Sequence, residues 1–461
     1  MKNKKIVAIA ALAVLAVMFG ILFFVTNAEK GKLADANAAL DAKVKILNEE
    51  KEDLKSQVTS LNNDAVQAAE TAKAELDKAV QDAAAAAQTQ IDAAVQAKEE
   101  AEAALRAALE TADKTASPAG SIEEIDFAAV FPSWNPDSAA LRELVDFVLA
   151  SVDEAGDGYI APADRIAVFD MDGTILCEKA PIYIDTCLTM YRVLDDPSFS
   201  ATEEERAAMQ ELRDRAYATG EHYHPETVSK DDLVASAFAG MTPEEFRAYV
   251  VDFADSVDAV GFSGMTYGQS FYKPMLEVID FLRAYGYDVW MVSACEREVV
   301  RALVERLGIP YDHVIATDVV YVASGIDASP ADEYNMGQDE KIVLGVPLEE
   351  VECAQSGKPA AIAREIGKRP VLAFGNSAGD YSMLNYAEGN PEHKGMGIFV
   401  VCDDTVREYG SEEKTAAYYA EVEAQGWTAF SMADDWLTIY GDGVEKVGLP
   451  GAQKESLPDA A

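Results

Sequence analysis

Hydrophobic and polar positions change their spacing three times along this chain, and each change marks a different kind of element. Lys2, Lys4 and Lys5 precede an uncharged apolar run from Ile6 to Val25. At helical rise, about 20 such residues cross a bilayer core, more than the roughly 7–15 of a signal-peptide core. The run predicts an uncleaved anchor over residues 1–28. Cleavage after the small residues of Thr26-Asn27-Ala28, giving a secreted protein, is the alternative. Lysines before the run and acids after it place the N-terminus in the cytoplasm and the C-terminal domain outside a bacterial-type cell membrane. Leucine then recurs at every seventh position: Leu33, Leu40, Leu47, Leu54 and Leu61. With these as d, the a positions are Asn37, Val44, Lys51, Val58 and Ala65. Branched residues at a and leucine at d predict a parallel two-stranded coiled coil, its register set by Asn37 and its seam weakened by Lys51. From about Ala65 to Leu109 the pattern fades into alanine-rich helix, where a solvated single helix and a continued coiled coil both fit. The stem covers residues 29–115, and residues 116–122 read as a linker.

Beyond the linker the periodicity becomes that of an α/β domain over residues 123–445. A helix with Leu141, Leu144, Val145, Val148 and Leu149 on one face follows the aromatic-proline patch Phe131-Pro132-Ser133-Trp134. The short run Ile166-Ala167-Val168-Phe169 reads as a buried parallel strand. From Cys177 to about Gly268 the tone is helical, with a capping signal at Thr242-Pro243-Glu244-Glu245. This predicts a helical cap over about 177–268, able to close over a substrate. Alternation resumes with a helix from Pro274 to Tyr285 and a strand Asp288–Val292. A helix from Glu296 to Leu307 follows, then a strand and hairpin within Tyr311–Val322. A polar excursion leads to a helix from Ser356 to Ile366, a strand Pro370–Phe374, and Ile398–Val401 as the last core strand. Residues 446–461 read as a flexible tail. The fold class is α/β: a Rossmann-like parallel sheet with an inserted helical cap, behind a transmembrane helix and a coiled-coil stem.

The formal net charge is −43, which argues against nucleic acid as a partner and means that any phosphate site needs local cations or a metal. Five cysteines without metal-type spacing exclude a disulfide scaffold, though one bridge is open to an exported domain.

Three predicted strands end on polar residues: Asp170 and Asp172, then Ser293, then Asn376 with Asp380; Lys358 starts a helix before the third. In a parallel sheet these ends share one edge and can meet in one pocket. The set resembles the haloacid dehalogenase-like hydrolases from Arg165 to about Tyr440. It is most similar to the phosphoserine-phosphatase-like and exported acid, phosphorylcholine-type, phosphatases. The resemblance implies Asp170 as nucleophile and Asp172 as general acid/base. Ser293, the N–H of Ala294, Thr174 and Lys358 are implied for phosphate, and Glu178 for a substrate amine. It implies Mg²⁺ held by Asp170, Asp172 and Asp380, with Asn376 standing where many relatives have aspartate. Tyr183 and Tyr191 could box a quaternary ammonium, packing being the plainer reading.

The function expected is a membrane-anchored, extracellular, Mg²⁺-dependent phosphatase. It would hydrolyse small phosphomonoesters through an aspartyl-phosphate and pair through its stem. A phosphomutase or phosphotransferase of the same fold, or a non-catalytic cell-envelope coiled-coil protein, are the alternatives.

Overall fold

The computed structural model describes residues 122, 125–178, 180–221, 236–326, 334–348 and 352–451, with the single lysines Lys45, Lys55, Lys73 and Lys78. The chain divides into two units, Met1–Thr111 and Ala112–Ala461. The predicted anchor and the heptad leucines lie outside the described residues; the four lysines are helical and exposed. Among the described residues no helix is long and apolar enough to cross a membrane.

The second unit opens with α1 (Ala139–Val152), capped by Ser138, whose hydroxyl accepts the Leu141 N–H. The aromatic patch before it is core: Trp134 is buried and donates its indole N–H to the Pro274 carbonyl at 2.9 Å. β1 (Ile166–Phe169) is buried on both faces, as expected of a parallel strand covered by helices. The insertion after it contains α2 (Ile184–Leu194), α3 (Glu203–Thr219) and α4 (Pro243–Ser256). Both α3 and α4 start in complete capping boxes, Thr202 with Glu205 and Thr242 with Glu245. A two-residue strand, β2 (Phe262–Ser263), and α5 (Lys273–Ala284) return the chain to the sheet. Then come β3 (Asp288–Glu296), α6 (Arg297–Val304), β4 (Val314–Thr317), β5 (Val319–Ala323) and β6 (Ile342–Leu348). The remainder is α7 (Gly357–Glu365), β7 (Leu372–Gly375), α8 (Tyr381–Glu388), β8 (Met396–Val401), α9 (Glu412–Gln425), β9 (Thr428–Ser431) and β10 (Glu445–Lys446).

Six of these strands form one parallel sheet in the order β4-β3-β1-β7-β8-β9. The order reverses beside β1, the place where open α/β sheets bind ligands. The rings of Phe169 and Phe374 stack at 4.0 Å across the β1–β7 pair, directly under the strand ends. The cap is tied to the core by a cap arginine, Arg247, bonded to Glu298 on α6 at 2.5 Å.

Three sequence readings are corrected here. Ile342–Leu348, read as part of a polar excursion, is β6 and pairs antiparallel with β5; Gly345 and Pro347 inside the run obscured it. Val401 does not end the sheet, because β9 adds a further parallel strand. The end of the domain is not frayed through Gly451: β10 pairs with β2, and Leu449 is buried. All five cysteines are unbridged.

Candidate active site

The Asp170 N–H donates to the Phe374 carbonyl at 2.9 Å, prolonging the β1–β7 ladder by one bond. The chain then folds into a tight loop, with the Leu176 N–H donating to the Met171 carbonyl at 3.0 Å and the Gly173 N–H to the Leu176 carbonyl at 2.7 Å. Gly173 adopts φ +80°, and a Cβ there would lie 2.0 Å from the Asn376 side-chain nitrogen. Only glycine meets both conditions. The loop leaves Asp170 and Asp172 almost wholly buried, yet both line the same cavity.

Lys358, in the first turn of α7, is buried to 2% exposure. Its ammonium donates to Asp170 Oδ1 at 2.6 Å, Asp380 Oδ1 at 2.6 Å and the Val292 carbonyl at 2.8 Å. Burial alone would lower its pKa, but the two carboxylates outweigh that and raise it. Asp380 Oδ2 accepts the N–H groups of Asn376 (3.0 Å) and Ser377 (3.1 Å) and the Ser377 hydroxyl (3.3 Å). Gly375 permits this, since a Cβ there would come within 2.3 Å of the Asp380 Cβ.

Burial, helped by Asp380, pushes Asp170 up to about 7, while Lys358 opposes the shift. Asp172 rises well above the carboxylate range, first through burial, then through Asp185, Asp170 and Glu178. The Ile184 N–H at the start of α2 partly opposes this. Burial thus pushes both acids toward the neutral form, and only Asp170 has a cation, Lys358, opposing that push, the kind of difference that acid/base assignment looks for.

Asp170, Asp172, Glu178, Ser293, Ala294, Lys358, Asn376 and Asp380 all line one cavity of about 360 Å³. Thr174 does not. It is fully buried behind the site and donates its hydroxyl to Asn376 Oδ1 at 3.2 Å, so it holds a site residue instead of substrate. Tyr183 lines the cavity, whereas Tyr191 packs on Phe253 with centroids 5.4 Å apart. Both oxygens of Asp380 are engaged by Lys358 and the strand-end loop. The side chain beside Asp170 Oδ2 and the Asp172 carbonyl is that of Asn376, 3.2 and 2.9 Å away. Sequence reasoning missed Asp185 and Glu352, which also line the cavity. An acid in the first turn of a helix is ordinary for dipole reasons, so nothing distinguished Asp185.

The model of the haloacid dehalogenase-like hydrolases matches residues 167–385. No curated protein matches the chain. Among solved structures, a protein with unknown function from Bordetella pertussis Tohama I is 18% identical, with 58% of this chain and 97% of that one covered and a TM-score of 0.36. Cytosolic 5'-nucleotidase IIIB, bound to cytidine, is 13% identical, with 68% of this chain and 92% of that one covered and a TM-score of 0.38. A probable phosphoserine phosphatase from Vibrio cholerae is 12% identical, with 60% and 62% covered and a TM-score of 0.30. The catalytic domain of this chain belongs to the haloacid dehalogenase-like hydrolases. Its sheet presents the acid Asp170 directly after β1 and a second acid, Asp172, two residues on.

Removing Lys358 leaves Asp170 and Asp380 facing each other without a cation. Lys358→Met should abolish turnover and cost about 3–5 kcal/mol of stability at pH 8. The cost should shrink toward pH 5, where Asp170, raised to about 7 even with the lysine present, takes up a proton. Chemical unfolding at both pH values checks this; an equal loss at each would show that the lysine is not compensating these charges.

Proposed function

We propose that this chain is a Mg²⁺-dependent phosphatase of small phosphomonoesters, anchored by residues 1–28 at the outer face of a cell membrane and paired through its stem. The observation that supports the chemistry best is the lysine-bound Asp170 with Asp172, which burial pushes toward its protonated form, beside it in one cavity. Asp170 attacks phosphorus as the ester oxygen leaves, and Asp172 gives that oxygen its proton. Asp172, now a carboxylate, takes a proton from the water that opens the aspartyl-phosphate. Lys358 fixes one oxygen of Asp170 and adds positive charge where the phosphoryl group collects negative charge. Ser293, buried inside β3 where the pairing with β4 shifts register, and not at the strand end as the sequence suggested, lends its hydroxyl to the same cavity.

The residues present also fit a small divalent cation. One amide atom of Asn376 stands 2.9 Å from the Asp172 carbonyl oxygen and 3.2 Å from Asp170 Oδ2; as nitrogen it donates to both, and with the amide turned its oxygen would join them around an ion. Neighbouring oxygens around octahedral Mg²⁺, bound at about 2.0–2.1 Å, lie about 2.9 Å apart. These three oxygens would hold the ion. When bound, it would neutralise phosphoryl oxygens and draw Asp170 into line.

The cavity wall carries Asp170, Asp172, Glu178, Asp185, Glu352 and Asp380 against one lysine. Such a wall repels an anionic leaving alcohol and favours one carrying an ammonium group, with the Tyr183 ring alongside.

Full-length protein in detergent should release phosphate from ammonium-bearing alkyl phosphates faster than from neutral ones, and chelation should abolish both. Glu178→Ala and Asp185→Ala should raise KM for the ammonium-bearing ester by about tenfold or more relative to the neutral one. Equal KM changes would remove the cation preference, and transfer of phosphate to a second alcohol in place of release would make the enzyme a mutase. For the stem, residues 29–115 should sediment as a dimer, and a strictly monomeric peptide would remove the pairing.

A further inference from the structure

After β9 the chain doubles back onto the cap. It departs from the core at Ile439, whose carbonyl accepts the Lys273 N–H at 2.8 Å, and at Tyr440, whose hydroxyl donates to Glu408. β10 then pairs antiparallel with β2 on the cap's return segment, Glu445 opposite Ser263 and Lys446 opposite Phe262. The Val447 N–H donates to the Gly261 carbonyl at 2.9 Å. The Lys446 side chain meanwhile stays with the core. Its ammonium donates to the Thr405 and Glu408 carbonyls at 2.9 and 2.7 Å and lies 4.4 Å from the Tyr409 ring centroid. Leu449 is buried against two glycines of the cap, where a Cβ on Gly220 or Gly261 would come within 3.0 or 3.1 Å of its methyl groups. The Gly451 N–H then donates to the Tyr217 carbonyl, in the last turn of α3, at 2.8 Å.

The cap is therefore held to the core at two separate places. At α4, Arg247 bonds the fully buried Glu298 at 2.5 Å. Just before that helix, the Gly240 N–H and the Met241 carbonyl bond β6 at Leu344, at 2.7 and 2.8 Å. At α3, the strap of residues 440–451 does the holding. Arg213 joins α3 to the end of α2 through Asp195 at 2.9 Å. The other end of α2 carries Asp185, which with Glu178 and Tyr183 forms the cap's share of the cavity wall. Ser293, Lys358, Asp380 and the rest of that wall belong to the core, so the spacing of cap and core sets the width of the cavity. We infer that residues 440–451 decide which leaving alcohols the enzyme accepts. By pinning α3 to the core they keep the cavity at about 360 Å³ and exclude esters whose alcohol needs the cap to move outward. This rests on the phosphomonoester reading above. Leu449, which is no part of the cavity wall, is the specificity-determining side chain of the strap.

The test compares phenyl phosphate with biphenyl-4-yl phosphate, two aryl esters that differ by one ring, on full-length protein in detergent. The unaltered protein should favour the phenyl ester by about tenfold or more in kcat/KM. Leu449→Asp puts a charge where leucine is buried, and a stop codon at Asp442 removes the strap. Each should narrow the preference about tenfold by raising biphenyl turnover, with kcat for phenyl phosphate kept within about threefold. Lys446→Met breaks only the tether to Thr405 and Glu408 and should narrow it about threefold. That partly exposed position decides the matter if the other two variants do not fold. Hydrogen exchange in α3 should quicken in all three. An equal fall for both esters would overturn the inference, because general loosening does that. Quicker exchange in α3 with the preference unchanged would overturn it too, by showing that the strap holds the cap without setting substrate size. Equal use of both esters by the unaltered protein would overturn it directly. No phosphate release from phenyl phosphate by the unaltered protein would bring down the phosphatase reading, and the inference with it.

Discussion

One buried ammonium group holds this site together. Lys358 Nζ is within 2.8 Å of three oxygens, from the end of β1, from β3 and from the loop after β7. Each strand end would otherwise bring a buried carboxylate or carbonyl that the interior cannot solvate, at a cost of several kcal/mol for an ion. The lysine answers all three at once, so the strand ends and the cation are stable only together. Two glycines make the approach possible. Gly375 lets the backbone pass close to the Asp380 side chain, and Gly173 turns the Asp170 loop against Asn376.

The same arrangement explains how a chain of net charge −43 can handle an anionic group. In the cavity the positive charge is fixed at one buried atom, Lys358 Nζ, where low dielectric makes it count most. The remaining wall of the cavity stays acidic. The proposed substrate, with phosphate at one end and an ammonium group at the other, would place one end against each region. The cap contributes to this division: α2 sends the Ile184 N–H to Asp172 and sets Asp185 into the wall.

Much of this was legible before any coordinates. A short apolar run breaking off at Asp170 and Asp172 reads as a parallel strand delivering acids, because burial on both faces forbids alternation. The capping residues at Thr242 and Glu245 marked a cap helix, and the structure shows both bonds of that box. The roles within the third strand end were not legible. Asn376 and Asp380 are four residues apart, and only the folded loop shows which one meets Lys358 and which one meets the Asp172 carbonyl. Thr174 sits beside the acids in sequence, yet the loop turns it inward to Asn376. β9 was missed because Thr428-Ala429-Phe430-Ser431 is short and mixed in polarity, so its partner β8 defines it and not its own pattern.

The division of labour between the two acids is the central claim, and covalent labelling tests it most directly. Asp170→Asn removes the oxygen nucleophile, whereas Asp172→Asn keeps it and removes the proton transfers, typically worth about 10²–10⁴-fold. With a ³²P-labelled aryl phosphate, whose phenolate leaves unaided, Asp172→Asn should accumulate acid-stable label on Asp170, because water has lost its base. Asp170→Asn should stay unlabelled. Label on Asp170→Asn but not on Asp172→Asn would contradict the assignment and exchange the two roles.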